Sequence, residues 1–425
     1  MLCIECVTPA VLKKLVSENG SPITCQYCGK EDVIGVEPNL IFDYVLDTVA
    51  ENTASEDELS QYEYWMLFEG GSDDISIGHL DIVLSEWADL GEEVYFDDLY
   101  ARAPKEMLIN DRDMDRHYFG DDGLLEHNLF EDKWENFIDE VRYSHRFFNP
   151  RAKQFLDSVF DILCKEDSSL KDECVRTIGR GTSLYRARSV SDRDQVTKMI
   201  DSPASEFGPT PKGKAGSQRM TPNGISAMYC ALERSTCLSE IRSITGDKVV
   251  SIAMTPVNNL RLLDLTRLDR ITFPKLSLLD KGYLEKMHLK TFIASLVKKI
   301  SKPKGHNDEL SYLSTQVVFE YLRVRFGRQA DGLVFPSVQT GEAGTNIVLF
   351  PEASIVSDSA FVDPEDDQSS APNVHIRFEK RAKLHCVPNS MRYHKILAIE
   401  TRDKEYDFSE DLFMSDLTRK RLGLD

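Results

Sequence analysis

One carboxylate, three arginines and two pairs of cysteines are the residues of this chain whose types and spacing could do chemistry. In "AMYCALERSTCLSEIR", Ala227 to Arg242, Glu240 follows Cys237 and Leu238 where a strand passes into a helix expected to start near Ala231. An acidic residue there either sits on the solvent boundary or faces a cleft. In "SLYRAR", Arg186 and Arg188 fall on one face of a short strand because side chains alternate. Two like charges on one face repel unless an anion or a carboxylate answers them. "GSQRMTPNGISAMYC" brings Arg219 ahead of a turn built on Pro222, Asn223 and Gly224, and the strand that follows carries Tyr229. Further on, "YLSTQVVFEYL" supplies Gln316, "VFPS" ends a strand at Ser337 and "GTNIVLF" begins one with Asn346. Taken singly, each has an ordinary explanation as an exposed strand charge, a core aromatic or a turn former beside Pro336 or Gly344.

The cysteines make a sharper pattern. Cys3 and Cys6 form one CxxC, Cys25 and Cys28 another, and the gap between them suits a two-knuckle zinc ribbon. Four thiolates complete a tetrahedral zinc ion and leave no position for water or substrate, so the expected site is structural. Gly29, directly after the second pair, suits a tight knuckle turn. Four unrelated buried cysteines, or an iron–sulfur site, are the alternatives. Cys164, Cys174, Cys230, Cys237 and Cys386 lack such spacing and read as buried small apolar groups.

These residues need a scaffold, and 425 residues at 41% hydrophobic and 29% charged can build two or three globular domains. Texture divides the chain into a zinc ribbon at 1–40, an acidic helical domain at 41–175, a mixed α+β domain at 176–400 and a C-terminal tail at 401–425. The first region has little apolar mass and needs the metal as a staple. Helical spacing marks "NLIFDYVLDTVA", "WENFIDEVRYSHRFF", "SLLDKGYLEKMHLKTFIASLVKKI" and "SYLSTQVVFEYLRVRFG". Strands are expected at "TSLYRAR", "ISAMYC", "KVVSIAMTPV", "LRLLDL", "GLVFPS", "TNIVLF" and within "AKLHCVPNSMRYHKILAIE", with "FVDPEDDQSSAPN" as a surface loop. A net charge of −20 argues against broad binding to nucleic acid or anionic membrane. The N-terminus lacks the ordered regions of a secretory signal and no apolar run is long enough to span a bilayer, so a cytoplasmic protein is expected.

Two pairs in the acidic region could do other chemistry. Arg112 and His117 in "RDMDRH" have the separation of the Arg-to-His motif of HEPN ribonucleases, and Arg142 and His145 in "RYSH" make a second pair. An Arg and a His this close also occur on any solvated helix, and the surrounding negative charge repels RNA.

From 180 to 400 the ordered set "LYRAR", Tyr229 with Glu240, "VFPS" and "GTNIVLF" resembles the RES family, whose fold is related to ADP-ribosyltransferase toxins. The arrangement of cysteine ribbon and acidic helices before it is similar to the HEPN/RES N-terminal region fused to some members. The sequence departs from the family at Met220, where many members have Trp. The resemblance implies an enzyme that degrades NAD by phosphorolysis or hydrolysis, or that transfers ADP-ribose to a protein, and acts as an intracellular toxin or phage-defence effector. It implies that Arg186, Tyr229, Glu240 and Ser337 are catalytic, that Arg188, Arg219, Gln316 and Asn346 bind NAD, and that an antitoxin or regulatory protein is a partner. NAD would then be a substrate in a cleft, since no GxGxxG joins a strand to a helix. A ribonuclease and a non-catalytic scaffold are the competing readings.

Overall fold

The computed structural model describes residues 1–59, 64, 68, 76–123, 128–273, 276–301, 310, 312–358 and 382–398. The loop expected at 361–373 and the tail at 401–425 lie outside them. The chain divides into two compact units, and no helix among the described residues is long and apolar enough to cross a membrane.

The first unit takes Met1–Asp132 together with Phe273–Phe292. It opens with strand β1 (Leu2–Cys3), the helix Ala10–Asn19, and strands β2 (Ser21–Ile23) and β3 (Val33–Val36), which pair in the order β1-β3-β2. The helix Pro38–Asn52 follows, opened by a proline whose missing N–H costs nothing at the first helical position. It buries Ile41, Val45 and Val49 at four-residue spacing. Leu2, Leu12, Val16 and Val36 join the same core, so the first forty residues carry more apolar mass than their composition implies. The region read as purely helical also holds three short strands, β4 (Ala54–Ser55), β5 (Ile77–Gly78) and β6 (Tyr118–Phe119), in the order β4-β6-β5.

The second unit lies within Lys133–Thr272 and Ile293–Lys404. The helix Leu129–Tyr143 ends before "SHRFF", because Asn149 caps a new helix, Pro150–Phe160, by accepting the Ala152 N–H. Trp134, Phe137 and Val141 are buried, as their spacing requires. Ten strands then form one mixed sheet: β7 (Val175–Ile178), β8 (Leu184–Val190), β9 (Met228–Ala231), β10 (Lys248–Pro256), β11 (Leu260–Asp264), β12 (Gly332–Ser337), β13 (Gly344–Leu349), β14 (Val356–Ser357), β15 (Leu384–Cys386) and β16 (Arg392–Lys395). Their order is β14-β15-β10-β8-β9-β13-β12-β11-β7, with β16 also on β10. One face buries Leu184, Met228, Ile252, Val334 and Ile347 in a common core. The order places β8, β9, β13 and β12 side by side, although β8 ends at Val190 and β12 and β13 begin only at Gly332 and Gly344.

Candidate active site

β8 and β10 are zipped over seven register pairs, but β8 and β9 share one, Tyr185 with Ala231. Residues of both parities on each strand, Tyr185 with Arg186 and Tyr229 with Cys230, line a single cavity of about 350 Å³. Strict alternation forbids that in a closed sheet. The cavity therefore opens where the two strands part, and its size falls in the ~300–1,000 Å³ range of small-molecule sites.

Glu240 enters this cavity from the last turn of a short helix, Arg234–Glu240, that packs on the sheet. The helix starts three residues later than its sequence implies. Ala231 still pairs with Asn346 in the sheet, and the Leu232 N–H donates to the Thr345 carbonyl, so the backbone is committed to the sheet up to that point. Glu233 then ties the helix to β13, accepting from Thr236 Oγ1 at 2.9 Å and from the Thr345 N–H at 3.0 Å. The seat is close: a Cβ at Gly344 would lie 2.2 Å from Thr236 Oγ1, so only glycine admits the helix there. Arg234 stacks over the Tyr185 ring at 4.7 Å and holds the other flank.

This seating brings the Glu240 carboxylate against the neighbouring strand ends. Ser337 Oγ donates to its Oε1 at 2.6 Å and Asn346 Nδ2 donates to the same oxygen at 2.7 Å. Ser337 and Asn346 are both buried, so these donors are fixed. Oε2 has no hydrogen-bond partner among the described residues. One oxygen is anchored while the other is left to the cavity.

Opposite in charge are Arg186 and Arg219, which line the same cavity. Each has a buried Nη1 with no acceptor among the described residues. Buried polar groups are normally paired, so two guanidinium groups in this state mark a place where an anion fits. Burial, reinforced by the like charge of Arg188, depresses the Arg186 pKa to about 10, still far above neutrality. Arg188 shares the strand face but does not line the cavity; its Nη2 donates to the Gly208 carbonyl at 3.3 Å, and its Nε is buried without an acceptor among the described residues.

Tyr229 lines the cavity and its hydroxyl accepts the Met220 N–H at 3.0 Å. Burial pushes its phenol up to about 12, so it is neutral at physiological pH. Met220, the departure from the family pattern, is fully buried and stacks on nothing in the cavity. Gln316 was expected to touch the ligand, but it lies outside the lining. Its Nε2 donates to the Gln218 carbonyl at 2.8 Å, to Ser217 Oγ at 2.9 Å and to the Thr221 carbonyl at 3.2 Å. Thr315 Oγ1 donates to the Arg219 carbonyl at 2.6 Å. Gln316 and Thr315 hold the loop that presents Arg219. Cys230 and Cys237 also line the cavity, but burial raises both thiols to about 12, which removes them as nucleophiles.

Residues 183–368 match the family model of the RES domain. This segment is a RES domain. It contains the cavity and each of the residues just described. No curated protein matches the chain. Sequence reasoning missed other lining residues of the RES domain, among them the polar Tyr185, Gln218, Arg242 and Tyr312, since nothing in their local spacing sets them apart.

The cysteine pairs lie outside the RES domain, in the first unit. The four Sγ atoms lie within 4.8 Å of one another, with Cys3 to Cys28 at 3.6 Å and Cys6 to Cys25 at 3.8 Å. A tetrahedron with metal–sulfur bonds of about 2.3 Å has sulfur–sulfur edges near ~3.8 Å, so the four could hold a metal ion. Without an ion between them, burial raises the Cys3 and Cys6 thiols, whereas backbone N–H groups of Cys28 and Tyr27 turned towards the Cys25 sulfur outweigh burial there and hold that thiol below the usual value. Gly29 stands at φ +73°, the left-handed conformation expected of the knuckle. Of the other cysteines, Cys174, Cys230, Cys237 and Cys386 are buried, while Cys164 is partly exposed and accepts from Arg325 Nη2 at 3.5 Å.

Arg112 is exposed in a turn and belongs to no helix. His117 Nδ1 donates to the buried Glu56 carboxylate at 3.1 Å, and its ring packs on His79 at 4.3 Å. His145 is exposed beyond a helix end, bonded to Ser144.

Proposed function

We propose that the chain is an NAD-degrading enzyme, a phosphorylase or glycohydrolase, that acts as an intracellular toxin or phage-defence effector by depleting NAD. The observation that carries this reading is Glu240, anchored through one oxygen and open through the other, in a cavity that also presents two unanswered arginines. When the bond between ribose and nicotinamide breaks, nicotinamide keeps the electron pair and its ring nitrogen becomes neutral. Positive charge then builds on the ribose. A carboxylate already held in place stabilises that charge without reorganising, which mobile water cannot do.

The diphosphate of NAD calls for the opposite charge, and the planar fork of Arg matches phosphate oxygens in pairs. Arg186 and Arg219 are assigned to it. Arg188, two residues along the strand, is turned to the Gly208 carbonyl and outside the cavity lining, so it is given no direct contact with the diphosphate. Tyr229 contributes its ring to the cavity wall and its hydroxyl to the loop that presents Arg219. Ser337 and Asn346 keep Glu240 oriented, and act through it. The acceptor takes the ribose carbon that nicotinamide vacates and gives up a proton: water yields ADP-ribose, phosphate yields ADP-ribose 1″-phosphate, and a protein nucleophile yields an ADP-ribosylated target.

Incubation of the protein with NAD in phosphate and in phosphate-free buffer tests the reading and the acceptor together. Nicotinamide is the expected product, with the partner product reporting hydrolysis or phosphorolysis. NAD left intact in both buffers by folded protein would remove the proposal. Gln316→Ala is expected to raise KM for NAD about tenfold while changing kcat less, because the two amide protons that Nε2 shares among three loop acceptors are lost, at about 1 kcal/mol net each, and none is lost from the reacting centre. An unchanged KM would show that the loop holds itself.

The cysteine cluster is assigned one structural zinc ion with no part in turnover, since four sulfur ligands leave it no open position. A toxin of this kind needs restraint in its own cell, which assigns it an antitoxin or regulatory protein as partner.

A further inference from the structure

We propose that Arg242 is a rim arginine that closes on the anionic part of the substrate and so sets its affinity. The inference rests on the reading of the cavity as an NAD site. Arg242 follows the Arg234–Glu240 helix by two residues, where its N–H donates back to the Ser239 carbonyl at 3.2 Å. Its φ is +52°, a left-handed conformation that crowds a Cβ and that helix ends usually assign to glycine. Non-glycine residues held in this way concentrate at ligand clamps and active sites, where the surrounding structure over-determines them.

The side chain has a place to act. Arg242 lines the cavity beside Glu240, is exposed, and makes no side-chain hydrogen bond or ion pair among the described residues. The cavity is lined by three guanidinium groups, Arg186, Arg219 and Arg242, and by one carboxylate, Glu240. In a chain of net charge −20 that is a local reversal of sign, and it suits a ligand with more than one negative charge. Arg186 and Arg219 are buried or half-buried at fixed positions, whereas Arg242 alone of the three stands exposed at the rim. An exposed, uncommitted arginine two residues from the carboxylate can fold over a diphosphate after it has entered.

Arg242→Gly separates the two properties, because glycine relieves the backbone while removing the guanidinium. The measurements are calorimetric affinity for ADP-ribose, KM and kcat for NAD at low and high salt, and the melting temperature. The expected result is a melting temperature at or above that of the wild type, with ADP-ribose affinity and KM weakened about tenfold, the scale of one charge-assisted hydrogen bond at a part-exposed site. The loss should shrink at high salt, kcat should change far less than KM, and Arg242→Lys should fall between the two. Unchanged ADP-ribose affinity and KM in Arg242→Gly would overturn the inference while leaving the NAD reading intact. A wild-type protein that neither binds ADP-ribose nor cleaves NAD would take both down together.

Discussion

Glu240→Gln is expected to slow NAD cleavage by about 10²–10³-fold, the scale on which loss of one preorganised electrostatic group is felt. Glutamine is the informative replacement. Its Oε1 can still accept from Ser337 Oγ and Asn346 Nδ2, so the buried donors stay paired and the short helix keeps its seat. Only the charge is lost. The melting temperature and the affinity for ADP-ribose should therefore stay close to wild type while kcat falls. Glu240→Ala would be a poorer test, because it strands two buried donors at a cost of about 1–3 kcal/mol each and mixes a folding defect with a catalytic one. An active Glu240→Gln protein would show that the charge on this side chain is not what stabilises the ribose, and a different group would have to be sought.

The second large effect belongs to the cysteine cluster. Purified protein is expected to carry one equivalent of zinc, and Cys25→Ser or a strong chelator should release it and destabilise the first unit by several kcal/mol. Structural zinc contributes about 10–16 kcal/mol in peptides with no other core. The loss should be smaller here, because Leu2, Leu12, Val16 and Val36 are packed in an apolar core that does not depend on metal–sulfur bonds for its burial. The strands that carry the site, β1 to β3, run for only two to four residues each and have little else to fix their register. Metal analysis and a melt with and without chelator check this. Absence of metal, with a melt indifferent to chelator, would leave the four thiols as a packed cluster.

Local chemistry was legible in the sequence. The two CxxC pairs point to a shared cluster because a knuckle is built from neighbours, and the four sulfurs do converge to where they could hold a metal ion. A short apolar run bounded by turns placed "GLVFPS" on a strand, which spans Gly332–Ser337, and three- and four-residue spacing placed helices in "SLLDKGYLEKMHLKTFIASLVKKI" and "SYLSTQVVFEYLRVRFG", where Tyr283–Ser301 and Leu313–Phe326 are helical. The start of the helix that carries Glu240 was misplaced because the pairing that keeps Ala231 and Leu232 in the sheet comes from β13, more than a hundred residues away.

The roles within the site divide along the same line. Residue types and order were enough to nominate Arg186, Arg219, Tyr229, Glu240, Ser337 and Asn346, and to name the RES family, whose model matches residues 183–368. They could not say that Arg186 reaches the cavity while Arg188 turns to Gly208, that Gln316 holds a loop, or that Arg242 stands at the rim. Those outcomes depend on where β8 and β9 part, on which strands become neighbours, and on how a seven-residue helix is seated against Gly344. Periodicity along the chain reports which face of its own element a side chain occupies. Which faces meet is decided by pairing and packing between distant segments, and that is where the charge, the anchor and the open carboxylate oxygen were brought into one cavity.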